Sequence, residues 1–537
     1  MIIRKLKIMT GIFSLMLHAH IPYCRKSGVW PAGEEWLFEA MHETYIPLLM
    51  MLRRFQRANY KPHIMIGVVP VLAEQLADAY MNDRFCEYME DKIKRAQNDL
   101  ERFGSTDKKK KVADYWLNHY TKIYQAYHEL FFGNILGSLK WLQEEGIIEI
   151  ITSAATHGFL PLMEYDSGIY SQIHIGLKTY RKYFDSKANG FWLPECAYRY
   201  KKDNRRAIDE WLADEGIRFF IVENIGIERA TFIENKNHEK APTTYRGYKL
   251  ESGVCVFGRN YLTSKQVWSP KYGYPGDPYY LEFHSKDSQS GLRYNRITGT
   301  NDKEIYQPNL AKERINSHVL HFNSLVYEDV VNKSEEIKEA PPIILAPYDC
   351  ELFGHWWHEG VEWIEKLYEL FSGQTSVKTM TLNEYIDNYS DTFSTIRMKA
   401  STWGENGDFT VWNSPEHNWL WPYVNDCRRQ LENVLQLIED TGRNPLTKRD
   451  QRILKQACRE ILLIEGSDWP FLLYTNQARE YANKRWHNHH QRFNKLIWAL
   501  KNLDESNRLN EDELRQMEDI DNPWPNIDYN DFKRIKR

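Results

Sequence analysis

Two short stretches each set a carboxylate at the end of an apolar run. In "GFWLPECAYR" (190–199) Glu195 follows a proline inside an aromatic segment, and in "APYDCELFGHWWHEG" (346–360) Asp349 closes a strand-like one. Paired carboxylates flanked by His and Trp suit glycosidic chemistry, one as nucleophile and the other as general acid and then base. Such a pair must be split, one ionised and one protonated, and an apolar floor with a neighbouring charge would raise the acid's pKa. Glu351 is a rival for the acid role. Structural readings stand beside these: Glu195 salt-bridged to Arg199, and Asp349 as the N-cap of a following helix. Histidines recur in the same company, as His18 and His20 in "HAHIPY", His157 in "THGFLPL", and His355 and His358 after Asp349. His18 and His20 share one face of a strand, so they are either core histidines or metal ligands. A metal-dependent deacetylase or mannosidase using His18, His20 and His157 is therefore a rival enzyme class. "HWWHE" is not HExxH, which leaves little for a zinc protease.

The elements that must position these groups are short apolar runs separated by long helical patterns. Strands are expected at 12–18, 63–69, 147–152, 190–193, 217–222, 253–258 and 342–349. Several are apolar throughout, as in a parallel sheet covered on both faces. Seven strands alternating with helices predict an α/β fold, a distorted (β/α)7 barrel over 9–394 whose working groups lie at the C-terminal strand ends. Residues 71–145 read as a helical insertion, with the "DKKKK" run at 107–111 as a solvated basic turn. Residues 259–341, rich in Tyr, Pro, Gly and Arg, read as a long functional connection with little periodicity. Amphipathic patterns then predict a C-terminal helical domain over 395–505, followed by a loosely held charged tail over 506–537.

Composition narrows the classes. The 537 residues are too many for one ordinary domain. A net charge of -4 without a basic stripe argues against a nucleic-acid partner. Seven scattered Cys without a CxxC pair argue against a disulfide framework or structural zinc, and fit the cytoplasm. No apolar run reaches the length of a membrane span. The N-terminal apolar run ends in His18 and His20 rather than at a cleavage site, and Met9 is a candidate start after an eight-residue extension. The 18 Trp and 33 Tyr are either core or the lining of a glycan cleft, so a non-catalytic glycan-binding protein is a third class.

"HAHIPY", "THGFLPL", "GFWLPECAYR", "APYDCELFGHWW" and "SDWPFLL", in this order, resemble the five conserved regions of glycoside hydrolase family 57. The C-terminal region is similar to that of its 1,4-α-glucan branching enzymes. The resemblance implies retaining chemistry on α-glucans without a metal or other cofactor. By motif it implies Glu195 as nucleophile and Asp349 as general acid/base, with His20 and His157 against the sugar at the −1 subsite. It further implies substrate contacts at Arg259 in "FGRN", Gly276 in "YGYPGDP", Trp403 in "STWGEN" and Asp468 in "GSDWPF". Trp268 in "SKQVWS" and Trp412 in "FTVWNS" would be stacking platforms for glucan, with Trp30 a further one. Branching members carry a long loop with a tyrosine at its tip over the cleft. The corresponding segment here, roughly 225–252, is shorter, with no tyrosine between 226 and 244 and Tyr245 and Tyr248 near its end. α-Amylase or 4-α-glucanotransferase activity is therefore the alternative to branching.

Overall fold

The computed structural model describes residues 11–202, 204–269, 271–441, 446–502 and 509–535. The proposed extension over 1–8 and start at Met9 lie outside them. Eleven strands occur in chain order: β1 (Gly11–Ala19), β2 (Ile64–Val68), β3 (Ile148–Ser153), β4 (Gly190–Trp192), β5 (Phe219–Val222), β6 (Thr231–Glu234), β7 (Tyr248–Lys249), β8 (Cys255–Gly258), β9 (Ile343–Asp349), β10 (Val377–Thr379) and β11 (Thr395–Arg397). All seven expected strands are present. They pair in parallel in the order β9-β1-β2-β3-β4-β5-β8. Between β8 and β9 the Asn260 N–H donates to the Leu345 carbonyl at 2.8 Å, bringing the two ends of the ring together. β10 pairs with the first residues of β1, below the point where β2 takes over the same edge. The result is a distorted seven-stranded β/α barrel, its strands buried along almost their whole length because helices cover them outside and side chains fill them inside.

Within the insertion, helices Ala79–Arg102 and Lys108–Gln125 lie against each other. The lysine run belongs to the second of these, not to a turn: Asp107 caps its N-terminus by accepting from the Lys109 N–H. Residues 259–341 are not a long loop throughout. A 29-residue helix, Pro308–Glu336, occupies much of the segment. Its buried apolar residues, Ala311, Ile315, Val319, Phe322, Val326 and Val330, form a stripe about one side chain wide, which leaves the rest polar and hides the period.

After β11 the chain runs back along the barrel, where Tyr198 and Ser401 form an antiparallel bridge, before helices Leu420–Asp440, Lys448–Ile464, Asp468–Thr475 and Arg479–Lys501 assemble. The Arg428–Glu465 ion pair, 2.6 Å and buried on both sides, ties two of these helices together, and Gln172 of the barrel donates to the same carboxylate. Among the described residues no helix is long and apolar enough to cross a membrane.

The described part of the tail, 509–535, is not loosely held. Helix Glu511–Ile520 leads to Trp524, whose backbone N–H donates to Glu74 at 2.9 Å and whose indole N–H donates to Thr179 at 2.7 Å. Ile527 and Phe532 are also buried. Three apolar anchors among charged residues suffice to strap the segment to the barrel, and no period announces them. Trp524→Ala is expected to cost about 3 kcal/mol, seen as a lower urea midpoint. Lys533→Ala, which removes only a surface pair with Glu439, should shift it by less than about 1 kcal/mol.

Candidate active site

The C-terminal ends of the strands deliver the expected groups to one place. β4 stops at Trp192, and after Leu193 the backbone turns through a short 3-10 segment, Pro194–Cys196. Glu195 and Cys196 both sit in the left-handed region, at φ 61° and 50°, as does His157 at 56°. Such conformations cost a non-glycine residue on the order of 1 kcal/mol each and persist only where surroundings enforce them. At Glu195 the enforcement comes from the C-terminal part of the chain: its carbonyl accepts the Trp403 N–H at 3.1 Å.

The Glu195 carboxylate is held at both oxygens. Trp403 donates its indole N–H to Oε2 at 2.8 Å, and Ser467 donates its hydroxyl to Oε1 at 2.8 Å. Arg199 turns away to the Tyr200 carbonyl, so no salt bridge to it explains the buried acid. Burial pushes the Glu195 pKa up to about 7, against the pull of the Trp403 and Ser467 hydrogen bonds.

Asp349 ends β9 and does not cap the following turn. Its carboxyl carries no hydrogen bond to any of the described residues. Burial raises its pKa well above the usual range, and the nearby charges of Glu351 and Glu195 raise it further. The two acids thus have opposite surroundings: Glu195 meets donors that favour its anion, and Asp349 meets negative charge that favours its proton. Glu351 is itself engaged, accepting the His20 N–H at 3.0 Å and the Tyr45 hydroxyl.

The histidines divide into two groups. His20 hydrogen-bonds Asp468 through Nε2 at 2.7 Å, and its side chain keeps 11% exposure. Burial depresses its pKa, but Asp468, Glu351 and Glu195 together raise it overall. His18 and His157 lie behind it. Their Nε2 atoms are 3.1 Å apart, His18 stacks on Trp192, and burial holds both well below the usual histidine range. His355 and His358 belong elsewhere: they bond Glu43 at 2.5 Å and Tyr115 at 2.6 Å, toward the helical insertion. His20, His157 and Asp468 offer atoms within 4.8 Å of one another, close enough to surround an ion. Yet two ligands at about 2.0 Å from a tetrahedral zinc would stand roughly 3.3 Å apart. The 2.7 Å between His20 and Asp468 is the distance of a shared proton.

Arg259 follows β8, pairs with Glu223 at the end of β5 at 2.5 Å, and lies over the Trp403 ring at 5.9 Å. Trp268 ends its helix with 38% of its surface exposed and Trp30 with 72%, so both offer a free face. Trp412 does not offer one. It is 1% exposed and its ring is covered by Phe159 in a 4.9 Å stack, which corrects the expectation of a platform there. Gly276 lies on an exposed turn whose neighbour Asp277 is bound by Arg314 of the long helix. The 225–252 segment does not rise over the cleft. β6 pairs with β11 at the sheet margin, the Tyr245 hydroxyl donates to Asp329 at 2.9 Å, and Tyr248 is buried.

Sequence reasoning missed Ser467, Glu223 and Tyr45. Glu223 obeys the same strand-end rule that found Glu195. Ser467 and Tyr45 carry no signature, since each meets its acid, Glu195 or Glu351, only through a neighbour distant in the chain.

A β/α barrel whose mouth holds two carboxylates of opposite character, rimmed by His, Arg and Trp, is the architecture of a glycoside-processing enzyme. The chain belongs to glycosyl hydrolase family 57, whose model matches residues 14–398. Residues 428–532 match the model of the 1,4-alpha-glucan branching enzyme C-terminal domain. A 1,4-alpha-glucan branching enzyme of Thermococcus kodakarensis is 42% identical over 534 residues, spanning 96% of this chain and 78% of that protein. The crystal structure of a branching enzyme from the same organism superposes with a TM-score of 0.90 at 41% identity, covering 98% of this chain and 97% of the other. An alpha-amylase from Thermotoga maritima superposes at 0.86 and 30% identity, covering 98% and 100%.

Proposed function

We propose that the protein is a 1,4-α-glucan branching enzyme acting by retaining double displacement. Glu195 attacks C1 of an α-1,4-linked glucosyl unit while Asp349 protonates the departing 4-oxygen, and a covalent glycosyl-enzyme results. The shortened chain leaves. Asp349, now a carboxylate, takes the proton of an incoming 6-hydroxyl as that oxygen attacks C1, which frees Glu195 and closes an α-1,6 linkage. His20 and Asp468 line the sugar site, with Arg259 beside them, and Trp268 and Trp30 offer ring faces to the glucan. The enzyme would work without a metal, in the cytoplasm, where its seven unpaired thiols stay reduced.

The observation that carries the branching assignment is where the branching-type C-terminal region goes. It supplies Ser467 and Asp468 to the acid pair rather than lying apart from the barrel. Incubation with amylose, followed by proton NMR, tests it: new α-1,6 linkages without a matching rise in reducing ends support branching. A second reading, hydrolysis, is favoured by Tyr245 and Tyr248, both tied down where a branching loop would overhang the cleft. It predicts reducing ends without α-1,6 linkages.

A further inference from the structure

The hydrogen bonds behind Glu195 can be given a direction from the chemistry of their end point. An ionised carboxylate accepts only, so Ser467 must spend its one proton on Glu195 Oε1, 2.8 Å away. The same hydroxyl lies 2.8 Å from His157 Nδ1, and with its proton committed it can only accept there. His157 therefore carries its proton on Nδ1. Its ring is neutral, because deep burial and the nearby His20 and His18 disfavour the cation. Nε2 of His157 is then a bare acceptor. His18 Nε2, at 3.1 Å, must be protonated to meet it. Three side chains from three different parts of the sequence are thus locked into one tautomeric arrangement.

We propose that Ser467 and His18 are positioning residues for Glu195, the ends of a neutral chain in which every proton points at the carboxylate: His18 Nε2–H to His157 Nε2, His157 Nδ1–H to Ser467 Oγ, and Ser467 Oγ–H to Glu195 Oε1. The inference rests on the reading of Glu195 as nucleophile. It changes the part played by His157, whose two ring nitrogens are both occupied within the protein, leaving His20 as the histidine that meets the sugar. The chain complements the Trp403 indole, which holds Oε2. Together the two donors fix the plane of the carboxylate and favour its ionised form in a buried site, while each oxygen keeps a lone pair free for attack.

The other charged or titratable groups around Glu195 are Asp349 from β9, Asp468 from the C-terminal region and His20 after β1, with Arg259 and Glu223 beyond the Trp403 ring. None of them hydrogen-bonds the Ser467 hydroxyl, whose partners are His157 and Glu195. Attack requires the Glu195 anion, so kcat/KM rises with pH through the Glu195 pKa. Losing a donor that favours the anion moves that acid limb upward. With amylose as substrate, Ser467→Ala is expected to shift the limb up by about one pH unit, a fall of about tenfold at pH values below it. Ser467→Thr, which keeps a hydroxyl, should restore the limb. His18→Phe keeps an aromatic ring against Trp192 but removes the first donor, and should move the limb the same way by less. A merely structural role would lower activity at all pH values and leave the limb in place.

Trapping with a 5-fluoro-α-glucosyl fluoride, followed by peptide mass analysis, separates the two levels of the argument. A label on a residue other than Glu195 overturns the nucleophile reading itself. A label on Glu195, with the acid limb unmoved in both Ser467→Ala and His18→Phe, overturns the chain alone. If Ser467→Ala does not fold, His18→Phe decides by the same limb.

Discussion

Glu195→Gln is expected to abolish both transfer and hydrolysis, with a loss on the order of 10⁴- to 10⁶-fold in turnover. No neighbouring group stands ready to replace it. Asp349 lacks donors and keeps its proton, Asp468 is engaged with His20, and Glu351 already accepts from Tyr45 and the His20 N–H. The amide should nonetheless be tolerated structurally. Its oxygen can accept from the Trp403 indole, and the Ser467 hydroxyl can accept from its NH₂ while turning its own proton to His157 Nδ1, with His157 and His18 exchanging tautomers. The folded protein should therefore melt near the wild type and still bind glucan. Amylose turnover, a melting curve and binding, measured on one preparation, check this. Substantial activity in Glu195→Gln would remove Glu195 from the nucleophile role.

The second large effect should depend on the leaving group. Asp349→Asn removes the proton donor, and with amylose it should cost about 10²- to 10⁴-fold. With a maltooligosyl fluoride, whose departing fluoride needs little protonation, formation of the glycosyl-enzyme should be affected far less. A variant equally poor on both substrates would show that Asp349 does something other than protonate an oxygen. The basic limb of kcat/KM should report the same residue. Burial and the negative charges of Glu351 and Glu195 raise the Asp349 pKa. Removing one of those charges in Glu351→Gln relieves the repulsion, lets the proton leave at lower pH, and moves the basic limb downward. The acid limb, which belongs to Glu195, should move less. Both limbs belong formally to the coupled pair.

The barrel was legible because its strands are apolar from end to end. "GIFSLMLH" and "PIILAPYD" stand out against the polar helical patterns between them, and the strand-end rule then led to Glu195, Asp349, His20 and His157. Elements whose burial is one residue wide did not stand out. The helix Pro308–Glu336 shows a mostly polar surface, and Trp524, Ile527 and Phe532 are spaced by charged residues without a period. Trp412 was misjudged for a related reason. A polar, loop-like context says that a segment is irregular, but not whether one of its rings is pressed against Phe159. The left-handed turn at Glu195 was equally hidden, since a proline and a glutamate announce no positive φ. What holds that turn comes from Trp403 and Ser467, more than two hundred residues downstream.

That distance has a consequence for how the enzyme comes into being. Trp403 and Ser467 emerge from the ribosome long after the last barrel strand, β9. A nascent chain that has completed its barrel owns both acids but lacks the two donors that hold the Glu195 carboxylate. The full set of donors to Glu195 is assembled only when the segment carrying Ser467 docks on the barrel, so the setting of this acid depends on the far end of the chain.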